Sequence, residues 1–193
     1  MQGKSQCSGS PSRNQSAQER RLRIISGCWK GRRLGSIRGT RVRPTTDRVK
    51  EAWMSAMGGS MDKITVLDLF SGSGALGLEA LSRGALSAVF VEQDRGALSI
   101  LRGNIELLGA WDKCMVVEDD VFHYLDGNRE VFDLALADPP YGTSASVSLV
   151  SFFLQKPFAR ELWLEHRWGE KLGTPDIART RRYGDTALTT LTT

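Results

Sequence analysis

The sequence predicts an α/β fold in which a mostly parallel, doubly wound sheet ends in a C-terminal antiparallel hairpin. From Ile64 onward, apolar runs of strand length alternate with helical patterns. This alternation is typical of parallel strands joined by right-handed helical crossovers. The chain has 193 residues, of which 40% are hydrophobic and 25% charged. These values fit one globular domain with small attachments, and they exclude fibrous repeats and disulfide mini-scaffolds.

Three segments of different composition follow one another along the chain. Residues 1–21 are rich in Ser, Gln, Gly and Arg and are predicted to be a disordered polar tail. Residues 22–60 are predicted to form a basic β-hairpin and then an amphipathic helix that stops at the Gly58-Gly59 pair. Residues 61–193 are predicted to form the α/β domain itself.

The strands of the α/β domain are short apolar runs, as expected for a sheet that is covered on both faces. They are predicted at residues 64–70, 87–92, 113–118, 132–137 and 161–166. Helices are predicted over residues 75–83 and 94–108, where apolar side chains recur at helical spacing. The closing antiparallel hairpin is predicted from about residue 177 to Leu191. Because doubly wound sheets bind ligands at the carboxyl ends of their strands, we expect functional motifs there.

Basic charge is concentrated in residues 20–50. This segment contains eleven Lys and Arg residues against one acid, Asp47, and therefore carries a charge of +10. The rest of the chain, with 15 basic and 21 acidic residues, carries −6. Such a block without interspersed acids favours a polyanionic partner, with nucleic acid first. The candidate RNA contacts are Arg23, Lys30, Arg32, Arg33, Arg41, Arg43 and Arg48.

A glycine loop follows the first predicted strand. The residues Gly72, Gly74 and Gly77 form a G-x-G-x-x-G pattern, which is also typical of nicotinamide dinucleotide sites. Asp68 precedes the glycines, where a carboxylate repels a pyrophosphate but can help to hold an ammonium group. Glu92 ends the second strand, where its two oxygens can accept both hydroxyls of a ribose. Together these features favour S-adenosylmethionine, while a nicotinamide oxidoreductase stays an alternative.

The fourth predicted strand ends in Asp138-Pro139-Pro140-Tyr141. Two consecutive prolines fix the backbone and remove two N–H donors, so the loop is rigid. Asp138 and the Pro139 carbonyl can accept both hydrogens of an exocyclic amine, and Tyr141 offers a flat face on which a flipped base can stack. This pattern indicates methylation of a nucleobase amine, with these four residues as the catalytic loop.

The segments VLDLFSGSGALGLEALSRGA, FVEQD and DPPY, in this order, resemble the Rossmann-like class I S-adenosylmethionine methyltransferases that act on amino groups. With the upstream segments RIISGCWKGRRL and RPTTDRVKEA and the later RRYGDTAL, the chain is similar to the RsmD family of bacterial 16S rRNA (guanine-N2)-methyltransferases. The resemblance implies S-adenosyl-L-methionine as cofactor and 16S rRNA, or a small-subunit assembly particle, as partner. It implies cofactor contacts at Asp68, Phe70, Gly72, Gly74, Glu92, Asp120, Thr45 and Thr46.

The sequence also predicts a cytoplasmic monomer without a metal or a membrane span. No apolar run approaches the length of a membrane helix, and the first twenty residues lack the apolar core of a signal peptide. Cys7, Cys28 and Cys114 are widely spaced and are predicted to be reduced thiols. His123 and His166 have no ligand or nucleophile at motif spacing, and we expect them to be structural or surface residues.

Two further alternatives stay open. An adenine-N6 nucleic-acid methyltransferase would share every motif except the N-terminal one, because DPPY serves both amines. A non-catalytic RNA-binding assembly protein would keep the basic segment and transfer no methyl group.

Overall fold

The computed structural model describes residues 22–36, Trp53, residues 61–175 and residues 178–193. The strands in these ranges are β1 (Thr65–Leu69), β2 (Ser87–Glu92), β3 (Cys114–Glu118), β4 (Phe132–Ala137), β5 (Ala159–Arg167), β6 (Arg179–Tyr183) and β7 (Thr186–Thr192). The helices described in full are α1 (Ala75–Ser82), α2 (Arg95–Leu108), α3 (Val121–Gly127) and α4 (Ala145–Gln155). No helix in the described ranges is long and apolar enough to cross a membrane.

The strands form one sheet in the order β3-β2-β1-β4-β5-β7-β6. Strands β1 to β5 run parallel, and β7 pairs antiparallel with both β5 and β6. The predicted fold class, a mostly parallel doubly wound sheet with a C-terminal antiparallel hairpin, is confirmed. The chain reverses its direction of winding between β1 and β4, and the carboxyl ends of these two strands therefore flank the crevice in which such sheets bind ligands.

The central strands β1 and β4 are buried on both faces of the sheet, which explains why they are mostly apolar. One core cluster joins Leu98 and Leu101 of α2 to Phe90 of β2. The other cluster joins Leu149 and Phe153 of α4 to the opposite face of the sheet. Each buried side chain of this size contributes about 1.5–3 kcal/mol, so α2 and α4 are fixed by packing rather than by local propensity.

Residues 22–34 form a short antiparallel hairpin with a bridge between Arg23 and Arg33. The Ile24 amide donates to the Arg32 carbonyl at 3.0 Å, and the Leu34 amide donates to the Leu22 carbonyl at 2.9 Å. Leu22, Ile24 and Leu34 belong to the core cluster of α2, so the hairpin packs onto the sheet domain.

Only part of the predicted N-terminal region is described. Of the helix predicted after the hairpin, Trp53 is helical and fully buried, with its ring centroid 6.3 Å from that of Trp163. The other residues of that helix and the predicted tail of residues 1–21 lie outside the described residues.

Candidate active site

The glycine loop connects β1 to α1 and is shaped by Asp68. This carboxyl group is 1% exposed, and its Oδ2 accepts from the Gly77 amide at 2.8 Å. Gly74 has a φ of +78° and caps α1, and a Cβ built there would clash with Cδ1 of Leu101. A side chain at this position would be strained by the backbone conformation and would displace Leu101, so the glycine allows the loop to pack closely against α2.

Glu92 connects the glycine loop to the end of β2. Its Oε2 accepts from the Gly72 amide at 2.8 Å, and its Oε1 accepts from the amides of Gln93 at 3.0 Å and Asp94 at 2.8 Å. Each carboxylate oxygen has two lone pairs, so Oε1 is fully used by these bonds while Oε2 can accept one further hydrogen bond. An acceptor beside the glycine loop is the chemistry that a ribose diol requires.

Phe122 contacts both Phe70 and Asp120. Phe70 adopts a left-handed φ of +55°, and its ring meets the Phe122 ring edge-on with centroids 6.2 Å apart. Asp120 caps α3, because its Oδ1 accepts from the amides of Phe122 at 2.9 Å and His123 at 3.1 Å. The two residues thus border the same side of the carboxyl edge, next to the glycine loop.

The Asp138–Tyr141 loop lies directly beside the glycine loop. Ala137 pairs with Leu69 in the parallel register of β1 and β4. Asp138 and Phe70 are the next residues of these two strands, so the two loops leave the sheet about 5 Å apart. The structure therefore brings the predicted cofactor loop and the predicted catalytic loop together at the switch point of the sheet.

The hydroxyl of Tyr141 is anchored while much of the side chain stays open. It donates to Oε1 of Glu165 at 3.0 Å and lies 3.0 Å from Oγ1 of Thr186. Since a phenol has one proton, the Thr186 hydroxyl donates to it. Burial, together with the negative charge of Glu165, raises the pKa of Tyr141 above its usual range, which keeps the phenol protonated. Tyr141 is 43% exposed, so part of its ring can receive a base.

Comparison with known proteins decides the family. The family model described as Conserved hypothetical protein 95 matches residues 22–191. The chain belongs to the RsmD family. Ribosomal RNA small subunit methyltransferase D of Haemophilus influenzae is 30% identical over 161 residues, which are 80% of this chain and 83% of that protein. The protein of the same name from Escherichia coli K12 is 38% identical over 120 residues, 62% of this chain and 60% of that protein.

A solved structure extends the likeness over nearly the whole chain. A hypothetical protein of Thermus thermophilus superposes with a TM-score of 0.77 and is 28% identical, with 89% of this chain and 99% of that chain covered. The predicted resemblance to the RsmD family and the Rossmann-like fold are confirmed.

The predicted RNA contacts of this RsmD-family chain are described in part. Arg23, Lys30 and Arg33 are exposed on the hairpin, and no acidic side chain of the described ranges lies within ion-pair distance of them. Arg32 donates to the Leu107 carbonyl at 3.0 Å and so holds the hairpin against the end of α2. The other predicted contacts lie outside the described residues: Arg41, Arg43 and Arg48, with the predicted cofactor residues Thr45 and Thr46.

Asn104 connects the hairpin to the glycine loop, and sequence reasoning missed it. It is 2% exposed, and its Oδ1 accepts from the Gly35 amide at 2.7 Å. Its Nδ2 donates to the carbonyls of Gly35 at 3.1 Å and Ser73 at 2.8 Å. The available signal was a polar residue on the apolar face of α2, between Leu101 and Leu108.

The two histidines lie outside this site. His166 is buried on β5 with Nε2 2.8 Å from Oγ1 of Thr189, and burial lowers its pKa. His123 is exposed and pairs with Asp119, whose hydrogen bond raises the histidine pKa.

Burial raises the pKa of the Cys114 thiol to about 12, so this thiol is unreactive. Among the described residues, no group of three or more His, Cys, Asp or Glu side chains could hold a metal ion.

Proposed function

We propose that this protein transfers a methyl group from S-adenosylmethionine to the exocyclic N2 amine of a guanine in the 16S rRNA of the small ribosomal subunit. One observation carries the proposal: the glycine loop and the Asp138–Tyr141 loop leave adjacent strands in a chain of the RsmD family. Relatives named ribosomal RNA small subunit methyltransferase D support an rRNA substrate. The protein acts as a monomer in the cytoplasm, on 16S rRNA or on an assembling subunit.

The residues of the cleft fit S-adenosylmethionine, which supplies a methyl group already activated on a sulfonium. Oε2 of Glu92 accepts a ribose hydroxyl, while Phe70 and Asp120 border the adenine. The carboxylate of Asp68 lies beneath the glycine loop, where its negative charge favours the cationic amino-acid end of the cofactor. The Asp68 carboxylate at the glycine loop disfavours a pyrophosphate, and this weakens the nicotinamide alternative. Gly72 and Gly74, with Thr45 and Thr46, complete the proposed pocket.

Catalysis rests mainly on positioning. Asp138 and the Pro139 carbonyl accept the two hydrogens of the amine, which turns the nitrogen lone pair toward the methyl group. Tyr141 stacks on the flipped base, and its anchored hydroxyl fixes the position of the ring. Asp138 then accepts or relays the proton that the methylated amine loses. The basic hairpin contacts the RNA through its exposed side chains Arg23, Lys30 and Arg33.

The decisive experiment is methylation of small-subunit particles that lack the modification, with labelled cofactor and mapping of the product nucleoside. We expect N2-methylguanosine at one position. A product of N6-methyladenosine would assign the adenine-N6 alternative instead. RNA binding without any transferred label would indicate a non-catalytic RNA-binding protein. A calorimetric titration with S-adenosylmethionine and with NAD separates the methyltransferase from an oxidoreductase.

A further inference from the structure

The C-terminal edge of the sheet carries a second concentration of arginines. Arg179, Arg181 and Arg182, here called the basic edge, are exposed on β6, which pairs on one side only, with β7. In the described part of the chain, no acidic side chain lies within ion-pair distance of the three guanidinium groups. The basic edge is far in sequence from the basic block of residues 20–50, so the charge block alone does not point to it.

The basic edge begins next to the anchor of the Asp138–Tyr141 loop. The hydroxyl of Tyr141 contacts Thr186, which pairs with Tyr183 at the end of β6. Neighbouring strands lie about 5 Å apart, so the last residue of β6 is one strand from this anchor. Side chains alternate along a strand, so Arg181 and Arg179 follow Tyr183 on the same face at intervals of about 7 Å. A row of cations thus leads away from the loop that would hold the target base.

Trp168 adds an aromatic surface at the β6–β7 turn, next to Arg182, whose side chain alternates to the other face of β6 from Arg179 and Arg181. The guanidinium carbon of Arg182 lies 5.0 Å from the centre of the Trp168 ring, and its Nε donates to the Gly184 carbonyl at 2.8 Å. The Trp168 amide donates to the Asp185 carbonyl at 2.9 Å, which fixes the residue at the β6–β7 turn. Trp168 is nevertheless 45% exposed. An exposed aromatic ring next to arginines is the combination with which proteins hold unpaired nucleotides.

We propose that the basic edge binds the phosphates of the RNA strand that flanks the methylated nucleotide, and that this strand crosses the edge at the β6–β7 turn, where Trp168 stacks on an unpaired base. Arginine suits this role because its planar fork bonds phosphate oxygens at two points. The inference rests on the proposed function and adds to it a second RNA surface, on the far side of the catalytic loop from the glycine loop. An acidic protein segment would satisfy the arginines but would give Trp168 no base to stack on.

The test compares two double variants by their binding to 16S rRNA transcribed in vitro. Arg179→Gln/Arg181→Gln removes two charges from the basic edge. Arg129→Gln/Arg160→Gln removes two exposed arginines near the amino ends of the central strands β4 and β5, at the end of these strands away from the Asp138–Tyr141 loop; Arg160 pairs there with Asp133. For the first variant we expect on the order of tenfold weaker binding, and a salt slope that flattens by roughly 1.4–1.8 because two phosphates are no longer neutralised. The control should match the wild type, and Arg179→Lys/Arg181→Lys should restore the slope.

Trp168 is tested separately, because stacking does not depend on salt. Trp168→Leu should weaken binding without changing the salt slope, while Trp168→Phe should keep most of the affinity. Unchanged binding in Trp168→Leu would remove the stacking role. If Arg179→Gln/Arg181→Gln binds an acidic peptide more weakly than the wild type and binds rRNA equally well, the basic edge serves a protein partner instead.

Methylation of small-subunit particles distinguishes this inference from the proposed function. We expect the basic-edge variant to raise KM for the particle and to keep kcat and the affinity for S-adenosylmethionine. If the wild type methylates the particles while the basic-edge variant binds rRNA like the control, the inference is wrong and the proposed function stands. If the wild type transfers no methyl group, and rRNA binding is lost only in the basic-edge variant, the proposed function is wrong and the RNA surface stands. A wild type that binds no rRNA would overturn both.

Discussion

At the scale of single residues, Glu92 combines a structural and a proposed binding role. Its two oxygens accept from three backbone amides, at Gly72, Gln93 and Asp94. These bonds fix the carboxylate at the end of β2, so a ribose would meet an acceptor that is already oriented. Pre-orientation of this kind lowers the entropic cost of binding.

Replacement of Glu92 by Ala should weaken S-adenosylmethionine binding by roughly 1.5–3 kcal/mol, because a charge-assisted hydrogen bond to the ribose is lost. Isothermal titration calorimetry measures the affinity. Glu118→Ala is the matched control, since Glu118 pairs with Glu92 in the register of β2 and β3 and forms an exposed ion pair with Arg102. Equal affinity in a folded Glu92→Ala protein and in the control would contradict the ribose assignment.

Asp138→Ala should lower the rate of methyl transfer by about 10²-fold or more, while cofactor affinity stays nearly constant. The side chain is expected to face the amine of the base rather than the cofactor. Asp138→Asn keeps one acceptor oxygen and removes the charge, so it should be more active than Asp138→Ala if orientation dominates. Single-turnover rates on undermethylated particles separate the two roles. Equal loss in both variants would identify proton acceptance as the requirement, and wild-type rates in both would remove Asp138 from catalysis.

At the scale of elements, the hairpin is held by a buried carboxylate on α1. Glu79 is 2% exposed, and it accepts from the amides of Ile25 at 2.7 Å and Ser26 at 2.9 Å. It also pairs with Arg83 at 2.9 Å, an ion pair whose two side chains are 8% and 3% exposed. The carboxylate thus supplies acceptors for two backbone amides of the hairpin and bonds the hairpin to α1.

Glu79→Ala should destabilise the protein by about 3–5 kcal/mol, because it leaves a buried guanidinium without this partner and two amides without an acceptor. Urea unfolding followed by circular dichroism gives the free energy of unfolding. Glu130→Ala, at an exposed position of the loop before β4, should change it by no more than about 0.5 kcal/mol. Similar stabilities for the two variants would show that α1 does not hold the hairpin through Glu79.

Local pattern explains which elements the sequence predicts. Strands β1 to β4 are predicted to within one residue at each end, because each is a short, mostly apolar run between polar or glycine-containing segments. Glu79 and Asn104 could not be predicted in the same way. Their hydrogen-bond partners lie 54 and 69 positions away in sequence, and only packing of the hairpin brings them together. The anchoring of Tyr141 by Glu165 and Thr186 depends in the same way on the pairing of β5 with β7.

At the scale of the whole molecule, exposed arginines occur in two separate places. Arg23 and Arg33 lie on the hairpin, which bonds the last turns of α1 and α2 at Ser82 and Leu107, and the basic edge lies at the end of the sheet formed by β6. Both surfaces would attract an RNA chain as it approaches. Long-range attraction of this kind speeds association and weakens as salt increases.

The triple variant Arg23→Gln/Lys30→Gln/Arg33→Gln should lower the affinity for 16S rRNA and flatten its salt slope by about 0.7–0.9 for each phosphate that is no longer neutralised. The stability of the fold should not change, because these side chains form no ion pair within the described residues. Arg32→Gln is the informative comparison, since Arg32 bonds the Leu107 carbonyl and its loss should lower the melting temperature. If the triple variant keeps the wild-type salt slope, these three side chains do not contact phosphates, and the hairpin is only a solvent-exposed basic surface.

The amide of Asn104 has a consequence for the order in which two ligands act. One side chain bonds Gly35, which follows the hairpin, and Ser73, in the glycine loop. Thermodynamic linkage is reciprocal: if rRNA that settles on the hairpin tightens this bridge and favours the cofactor, then the cofactor strengthens rRNA binding by the same factor. A methyltransferase connected in this way would bind its donor most tightly when its acceptor is already in place, and would release both more readily once the bridge relaxes.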